Sequence, residues 1–323
     1  MNVLKWLSEN GIKKDVYNQV LEIPCADDKK SFIYLTLPFK GIYCWANDVY
    51  CREIPTGYDR GFHGMSFNFC MDGGCEVSLF NGNYVYVRDG ILSIDTSASK
   101  TGHYYPSSRY KGLEIIFDFD EIKNSPLKEF EVLGINPLSF LEKLEERSVC
   151  GSFRTIPSEI WQRKASSLVE HLINDDVSIE DVRYYLIELL FIFSKDEPNL
   201  KACDVGFLSK GQRQLASLLE EKACSDLRGH FTLEEFAKEY KTSTSSVKKY
   251  FTRLYGIPFS AYMRQIRMEE AARLIVESDF SIGEIAEKIG YKNQSKFGSS
   301  FKEYFGSSPL EYRRIKMCRL EQK

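Results

Sequence analysis

Apolar and polar positions alternate in short runs over the first part of the chain, then switch to helical spacing. Between Ser31 and Asp120, runs dense in Val, Ile, Tyr and Phe are cut by clusters of Gly, Asn and Asp. Alternation over four to eight residues marks a strand with one buried face. It predicts strands at Ser31–Thr36, Ile42–Trp45, Val49–Ile54, Met65–Met71, Cys75–Phe80, Tyr84–Val87, Ile91–Asp95 and Leu113–Phe119. Asp72-Gly73-Gly74 and Asp89-Gly90 read as turns. Asn81-Gly82 is a strong hairpin signal, because a tight primed turn needs positive φ. Short strands at this spacing predict an antiparallel sandwich or barrel.

From about Pro137 the period is helical. Leu138–Arg147 reads as a short amphipathic helix. Ser158–Asn174 places Ile160, Trp161, Ala165, Leu168, Val169, Leu172 and Ile173 on one stripe. Ser178, with Asp181 three residues on, caps a helix carrying Val182, Leu186, Leu189, Leu190 and Phe193 at spacings of three and four. The polar segment around Asp196, Glu197, Pro198 and Asn199 reads as a linker, and helices resume at Ser209.

The last ninety residues contain an internal repeat. Phe231-Thr232-Leu233-Glu234-Glu235-Phe236-Ala237 matches Phe280-Ser281-Ile282-Gly283-Glu284-Ile285-Ala286 at an offset of 49. At an offset of 50, Phe251 matches Phe301, Gly256 matches Gly306, and Tyr262 matches Tyr312. Thr232 with Glu235, and Ser281 with Glu284, are capping boxes. Each opens a helix of about eight residues, followed by a polar turn and a second helix, Ser243–Tyr255 and Asn293–Phe305. This is the helix-turn-helix plan. Ala237 and Ala286 sit where paired helices cross, and Ala261–Ser278 reads as one connecting helix with Ile266, Ala271, Leu274 and Ile275 inward. Pattern alone also allows a helical bundle with no nucleic-acid role. Two features weigh against it. The second helix of the first unit carries Lys248, Lys249 and Arg253 behind Ser245 and Ser246. Two such helices joined by a rigid one can enter successive major grooves, which lie ~34 Å apart on one face of DNA.

Residues from about Phe231 to Arg314 resemble the AraC/XylS transcriptional regulators. The resemblance rests on Ala271-Ala272-Arg273-Leu274-Ile275, on Ser281-Ile282-x-Glu284-Ile285-Ala286, and on Gly290-Tyr291-x-x-Gln294-Ser295-x-Phe297. It closes on Phe301-Lys302-x-x-Phe305-Gly306-x-Ser308-Pro309-x-x-Tyr312-Arg313. It implies an α+β multidomain chain. Residues 1–194 would form a cupin-like effector-binding and dimerisation domain, with a β-barrel at about 31–120 and helices at about 121–194. Residues 195–206 would be a linker, and 207–323 an all-α DNA-binding domain with two helix-turn-helix units. The implied function is a sequence-specific transcription regulator, an activator answering a small molecule, with promoter DNA, RNA polymerase and a second copy of the chain as partners. A barrel serving only dimerisation or protein-partner binding is the alternative. Family base-reading positions fall on Ser245, Lys248 and Lys249. The second unit departs from the family: Gly298-Ser299 stands where Ser-Arg is frequent. The first unit is therefore expected to discriminate sequence. Gln294, Ser295, Lys296, Ser299 and Lys302, with Lys292 just ahead, are expected mainly to grip the backbone.

Charge sharpens this picture. The chain has 323 residues and a net charge of -3, which by itself argues weakly against a nucleic-acid partner. Split at residue 207, the C-terminal part carries +6 and the rest -9. The basic residues thus fall in the repeat. There is no apolar run long enough to span a membrane, and the first residues are too polar for a signal peptide. The nine cysteines, an odd number, suit reduced thiols in a cytoplasm.

Chemistry in the first domain is sparse. Metal cupins need two or three His with a carboxylate, and only His63 and His103 lie in the strand region, so neither metal, cofactor nor enzyme activity is expected. Phosphate-binding glycine loops and a nucleophile elbow are missing from the sequence. Cys70 and Cys75 read as cross-strand neighbours around a turn, either a redox or metal switch or, most simply, two small apolar residues at adjoining strand ends. Aromatic residues such as Tyr34 and Trp45 suit a ligand wall, with His63, Arg88 and Arg109 as polar candidates to orient an effector.

Overall fold

The computed structural model describes residues 18–23, 30–54, 63–78, 83–96, 103–124, 127–146, 152–174, 176–196, 201–202, 208–229 and 231–320. The described residues form two compact units, one running to Lys210 with Arg253–Gly256 grouped to it, and one made of Gly211–Thr252 and the residues from Ile257 on.

The first unit is an antiparallel sheet with helices on one face. Its strands are β1 (Asn18–Ile23), β2 (Ser31–Phe39), β3 (Ile42–Val49), β4 (Glu53–Ile54), β5 (Gly64–Ser78), β6 (Tyr84–Arg88), β7 (Leu92–Thr96), β8 (His103–Tyr104), β9 (Tyr110–Asp118) and β10 (Ser152–Thr155). The hydrogen-bonded path runs β1-β2-β3-β9-β5-β7-β10, while β6 and β8 pair with β5, and β4 pairs with β8. Its ends, β1 and β10, do not meet. The ladder is therefore an open sheet among the described residues rather than the closed barrel expected.

The strand β5 corrects the reading of Asp72-Gly73-Gly74 as a turn. It is one strand of 15 residues that shifts register between Cys70 and Asp72. Gly73 has φ +79, and a Cβ there would lie 2.0 Å from the Arg109 carbonyl oxygen. The glycine serves a close backbone approach at a bulge, not a hairpin. Met65 to Phe69 pair with β7, Gly64 to Gly73 pair with β9 across the shift, and Gly74 to Ser78 pair with β6. Asn81-Gly82 lies outside the described residues, but its flanks pair as a hairpin requires, Val77 opposite Val85 and Ser78 opposite Tyr84.

Both faces of β3 are buried. One face sends Ile42, Cys44 and Ala46 into a core with Phe67, Phe69, Leu113, Ile115 and Phe117. The helices α1 (Phe119–Lys123), α2 (Lys128–Glu131), α3 (Pro137–Glu146), α4 (Glu159–Asn174) and α5 (Ile179–Asp196) follow. Of these, α4 and α5 cover that core with the predicted stripes, except that Ile160 is exposed and Ile173 half-buried, and Trp161 seats its Nε1 on the Leu189 carbonyl at 3.1 Å. The opposite face sends Tyr43 and Trp45 into a second cluster with Leu35, Val77, Val87, Tyr105, Tyr110 and Ile116.

The segment expected as a linker lies partly outside the described residues. The helix α5 runs on to Asp196, and Leu208 exchanges two backbone hydrogen bonds with Tyr84, at 2.7 and 2.8 Å. The second unit contains α6 (Lys210–Ser225), α7 (Leu233–Glu239), α8 (Thr244–Tyr255), α9 (Phe259–Glu277), α10 (Ile282–Lys288), α11 (Gln294–Phe305) and α12 (Pro309–Leu320).

Candidate nucleic-acid interface

The repeat read in the sequence is a repeat of geometry. Thr232 and Ser281 each accept the N–H of the glutamate three residues on, and Glu235 and Glu284 each accept the N–H of the cap. Both first helices, α7 and α10, end the same way. Thr242 N–H donates to Ala237 O at 2.9 Å, and Tyr291 N–H donates to Ala286 O at 2.8 Å. These bonds close Schellman turns, which need one left-handed residue. Gly290 supplies it in the second unit (φ 85) and Lys241 in the first (φ 49). Next, Ser243 accepts the Ser246 N–H at 3.1 Å, and Asn293 accepts the Lys296 N–H at 3.1 Å, so the second helices α8 and α11 are capped alike.

Aromatic packing repeats too. Phe251 meets Tyr262 edge-on at 5.3 Å, and Phe301 meets Tyr312 edge-on at 5.4 Å. Ala237 and Ala286 are buried at the crossings. The connecting helix α9 buries Met268, Ala271 and Ile275 against Ile285, Ala286, Phe297 and Phe301. Ile266 and Leu274, expected inward, are only half-buried. Arg264 pairs with Glu303 of α11, and Arg313 donates to the carbonyls of Ile275 (3.1 Å) and Phe280 (2.7 Å), tying α12 to the end of α9. Two helix-turn-helix units are thus bolted to one long helix.

Against this frame the polar candidates divide. Ser245, Lys248 and Lys249 are exposed on α8, while Ser246 and Arg253 are half-buried. Val247 and Phe251 are buried, and Tyr250 is half-buried rather than a core residue. On α11, Gln294, Ser295, Lys296, Ser299 and Lys302 are all exposed, with Lys292 ahead of them. Ser299 donates to the Ser295 carbonyl at 3.1 Å. Among the described residues, Lys248, Lys249 and Lys296 form no ion pair, whereas Lys222, Arg264 and Arg273 are held by carboxylates of their own unit. Unpaired cations on the first two turns of two capped helices are what a phosphate backbone and base edges require.

A family model for a helix-turn-helix domain matches residues 236–315. The HTH-type transcriptional activator FapR of Escherichia coli is 31% identical over 243 residues, covering 74% of this chain and 88% of that protein. The chain belongs to the AraC/XylS family. Its AraC-type relatives include the lactose operon transcription activator of Staphylococcus xylosus, 24% identical over 74% of this chain and 90% of that one. Among solved structures, the C-terminal domain of AraT, a response regulator from Geobacillus stearothermophilus, is 31% identical. It covers 31% of this chain and 84% of that one, with a TM-score of 0.30. AraC/XylS proteins are DNA-binding transcription regulators, which is not an enzyme family.

The residues expected to hold an effector do not converge. Tyr34 is half-buried against the helix-facing core, and Trp45 is buried in the opposite cluster. Exposed His63 lies 3.4 Å from Asp120. Arg88 is exposed at the end of β6. Arg109 is held by Asp48 and Asp72 and covers the Tyr50 ring at 4.1 Å. Burial and those two carboxylates act oppositely on its guanidinium, with a net upward shift.

The structure assembles a different polar group. Register aligns Trp45, Glu114, Asn68, Ser93 and Arg154 across β3, β9, β5, β7 and β10. The neighbouring row aligns Ser66, Asp95 and Ser152. All are buried. Tyr110 donates to Asn68, Ser93 donates to Asp95 at 2.8 Å, and Ser152 also donates to Asp95. Arg154 donates from Nη2 to Ser152 Oγ at 2.6 Å, and its Nε has no partner. Burial pulls its guanidinium pKa down against the pull of Asp95. The alternation Ser66-Phe67-Asn68 and Ser93-Ile94-Asp95 was a readable signal for the first members of these rows. Arg154 was not readable, because β10 is four residues long and follows three helices.

Cys70 and Cys75 lie on one strand, not across a pair, and are thiols rather than a disulfide. Burial pushes the Cys70 thiol well up. Among the described residues, no cluster of His, Cys, Asp and Glu is placed to hold a metal, and no helix is long and apolar enough to cross a membrane.

Proposed function

We propose that the chain is a cytoplasmic activator that binds promoter DNA through α8 and α11, recruits RNA polymerase, and responds to a small effector held by its first unit. The observation that carries the DNA reading is the pair of identically capped helices presenting unpaired cations from one connecting helix. The names of the two relatives, both activators, support activation over repression. The two-sided burial of the sheet supports a cupin-like unit with an interior. A buried arginine with an unpaired Nε, inside rows of buried polar residues, favours an effector over a purely dimerising module. The helix α5 carries exposed Tyr184 and Phe191 and is the proposed dimer seam. The test is selection of bound sequences from random DNA by the full chain. An enriched motif whose affinity falls steeply with salt is expected. Lys249→Ala should change the preferred bases, and Ser299→Ala should leave them. Enrichment of no motif, with affinity indifferent to salt, overturns the reading.

A further inference from the structure

The second unit contains a cavity of about 210 Å³ that plays no part in the interface above. That is the room of about seven water molecules. Phe231, Phe259 and Met263 give it apolar walls, Asp226 and Ser260 lie exposed on it, and Arg267 of α9 supplies a cation. The walls are fixed to the first helix-turn-helix unit. Phe231 packs on Phe236 of α7 at 5.8 Å, and Phe259 packs edge-on to Phe251 of α8 at 5.1 Å.

Arg267 is the unusual member. It has no hydrogen-bond or ion-pair partner among the described residues, and its Nε is shut off from solvent. Leaving a buried donor unmade is costly. The two other arginines of the same helix are ion-paired: Arg264 with Glu303, although its Nε too is buried without an acceptor, and Arg273 with Glu270 and Glu277. The nearby Asp226 forms no ion pair with Arg267; its Oδ1 accepts the Arg228 N–H at 3.0 Å within its own turn. The Nη groups of Arg267, which have no acceptor either among the described residues, are what a ligand carboxylate can reach. Asp226 on the same wall offsets part of the arginine's charge, so the site favours a monoanion over a dianion such as phosphate.

We propose that this cavity binds a small monocarboxylate with a ring-sized apolar body, its carboxylate on Arg267 and its body between Phe231, Phe259 and Met263. The site is separate from the polar rows of the first unit. Calorimetric titration of the full chain with phenylacetate tests it, with 2-phenylethanol as the uncharged comparison. One saturable site per chain is expected, with the alcohol weaker by about tenfold or more. Arg267→Gln should weaken phenylacetate binding by a similar factor. Ser260→Trp, at an exposed wall position, should block it with no change in thermal unfolding, and this variant carries the test if Arg267→Gln fails to fold. No binding at millimolar probe, equal binding of the alcohol, or full binding by Ser260→Trp overturns the proposal. So does loss of DNA affinity by Arg267→Gln without any probe, which would make Arg267 a phosphate contact.

Discussion

Lys241 and Gly290 hold the same left-handed position in the two helix-turn-helix units, and only one of them is suited to it. An L-residue with a Cβ is disfavoured there by about 1–2 kcal/mol, and glycine is not. Lys241 is exposed, so Lys241→Gly should stabilise the chain by up to about 1 kcal/mol once glycine's greater unfolded-state entropy is subtracted. Gly290→Ala should do the reverse and more. A Cβ at Gly290 would stand 2.3 Å from the Leu227 carbonyl oxygen, a backbone atom that cannot step aside. A loss above about 2 kcal/mol is expected in urea unfolding. Equal effects of the two substitutions would mean that the repeat does not hold at atomic detail. Gly298 is a third case: it lies inside α11 with nothing within 4 Å of its missing Cβ. Gly298→Ala should stabilise by up to about 1 kcal/mol, because helix propensity is the only factor that changes.

At the scale of elements, the capping box of α10 makes the second unit sensitive to acid. Glu284 is held below the ordinary glutamate range by the N–H and hydroxyl of Ser281. A carboxyl lowered by folding contributes fully above its unfolded pKa, and the contribution is lost as pH falls through the folded value. Glu284→Gln should therefore lower the melting temperature at pH 7 yet narrow the drop between pH 7 and pH 3, and an unchanged drop would remove the cap from the account. The same caps explain why the helical unit was legible in the sequence. A capping box, a turn and an amphipathic stripe are local, so their residues announce both the element and its exposed face. The sheet unit was legible only in outline. The edge strands β1 and β10 are short and lack clean alternation, and the glycines in β5 signal a bulge as readily as a turn. Which polar residues share an interior depends on pairing between distant strands. That is why Arg154 and Asp95 escaped notice, and why Arg109 and His63, visible as lone polar residues, proved to be tied to carboxylates on distant segments.

For the whole molecule, the net charge of -3 hides a basic C-terminal part of +6 behind an acidic remainder of -9. A charge of +6 spread over 117 residues gives a modest electrostatic grip. Lys222, Arg264 and Arg273 are paired within the unit, so the grip falls to the other cations. One chain should therefore bind DNA weakly, and two linked chains much more tightly, because the second site is engaged at high effective concentration. The exposed Tyr184 and Phe191 stand seven residues apart on one face of α5, and neither is needed by the core beneath, which is filled by Val182, Leu186, Leu189, Leu190 and Phe193. Replacing both with glutamate should leave each chain folded while abolishing the dimer in sedimentation. Affinity for a two-site promoter should then fall by about 10²-fold or more, with affinity for a single half-site unchanged. Loss of half-site binding as well would mean that the substitutions damaged the fold. A double variant that still sediments as a dimer would move the seam off α5.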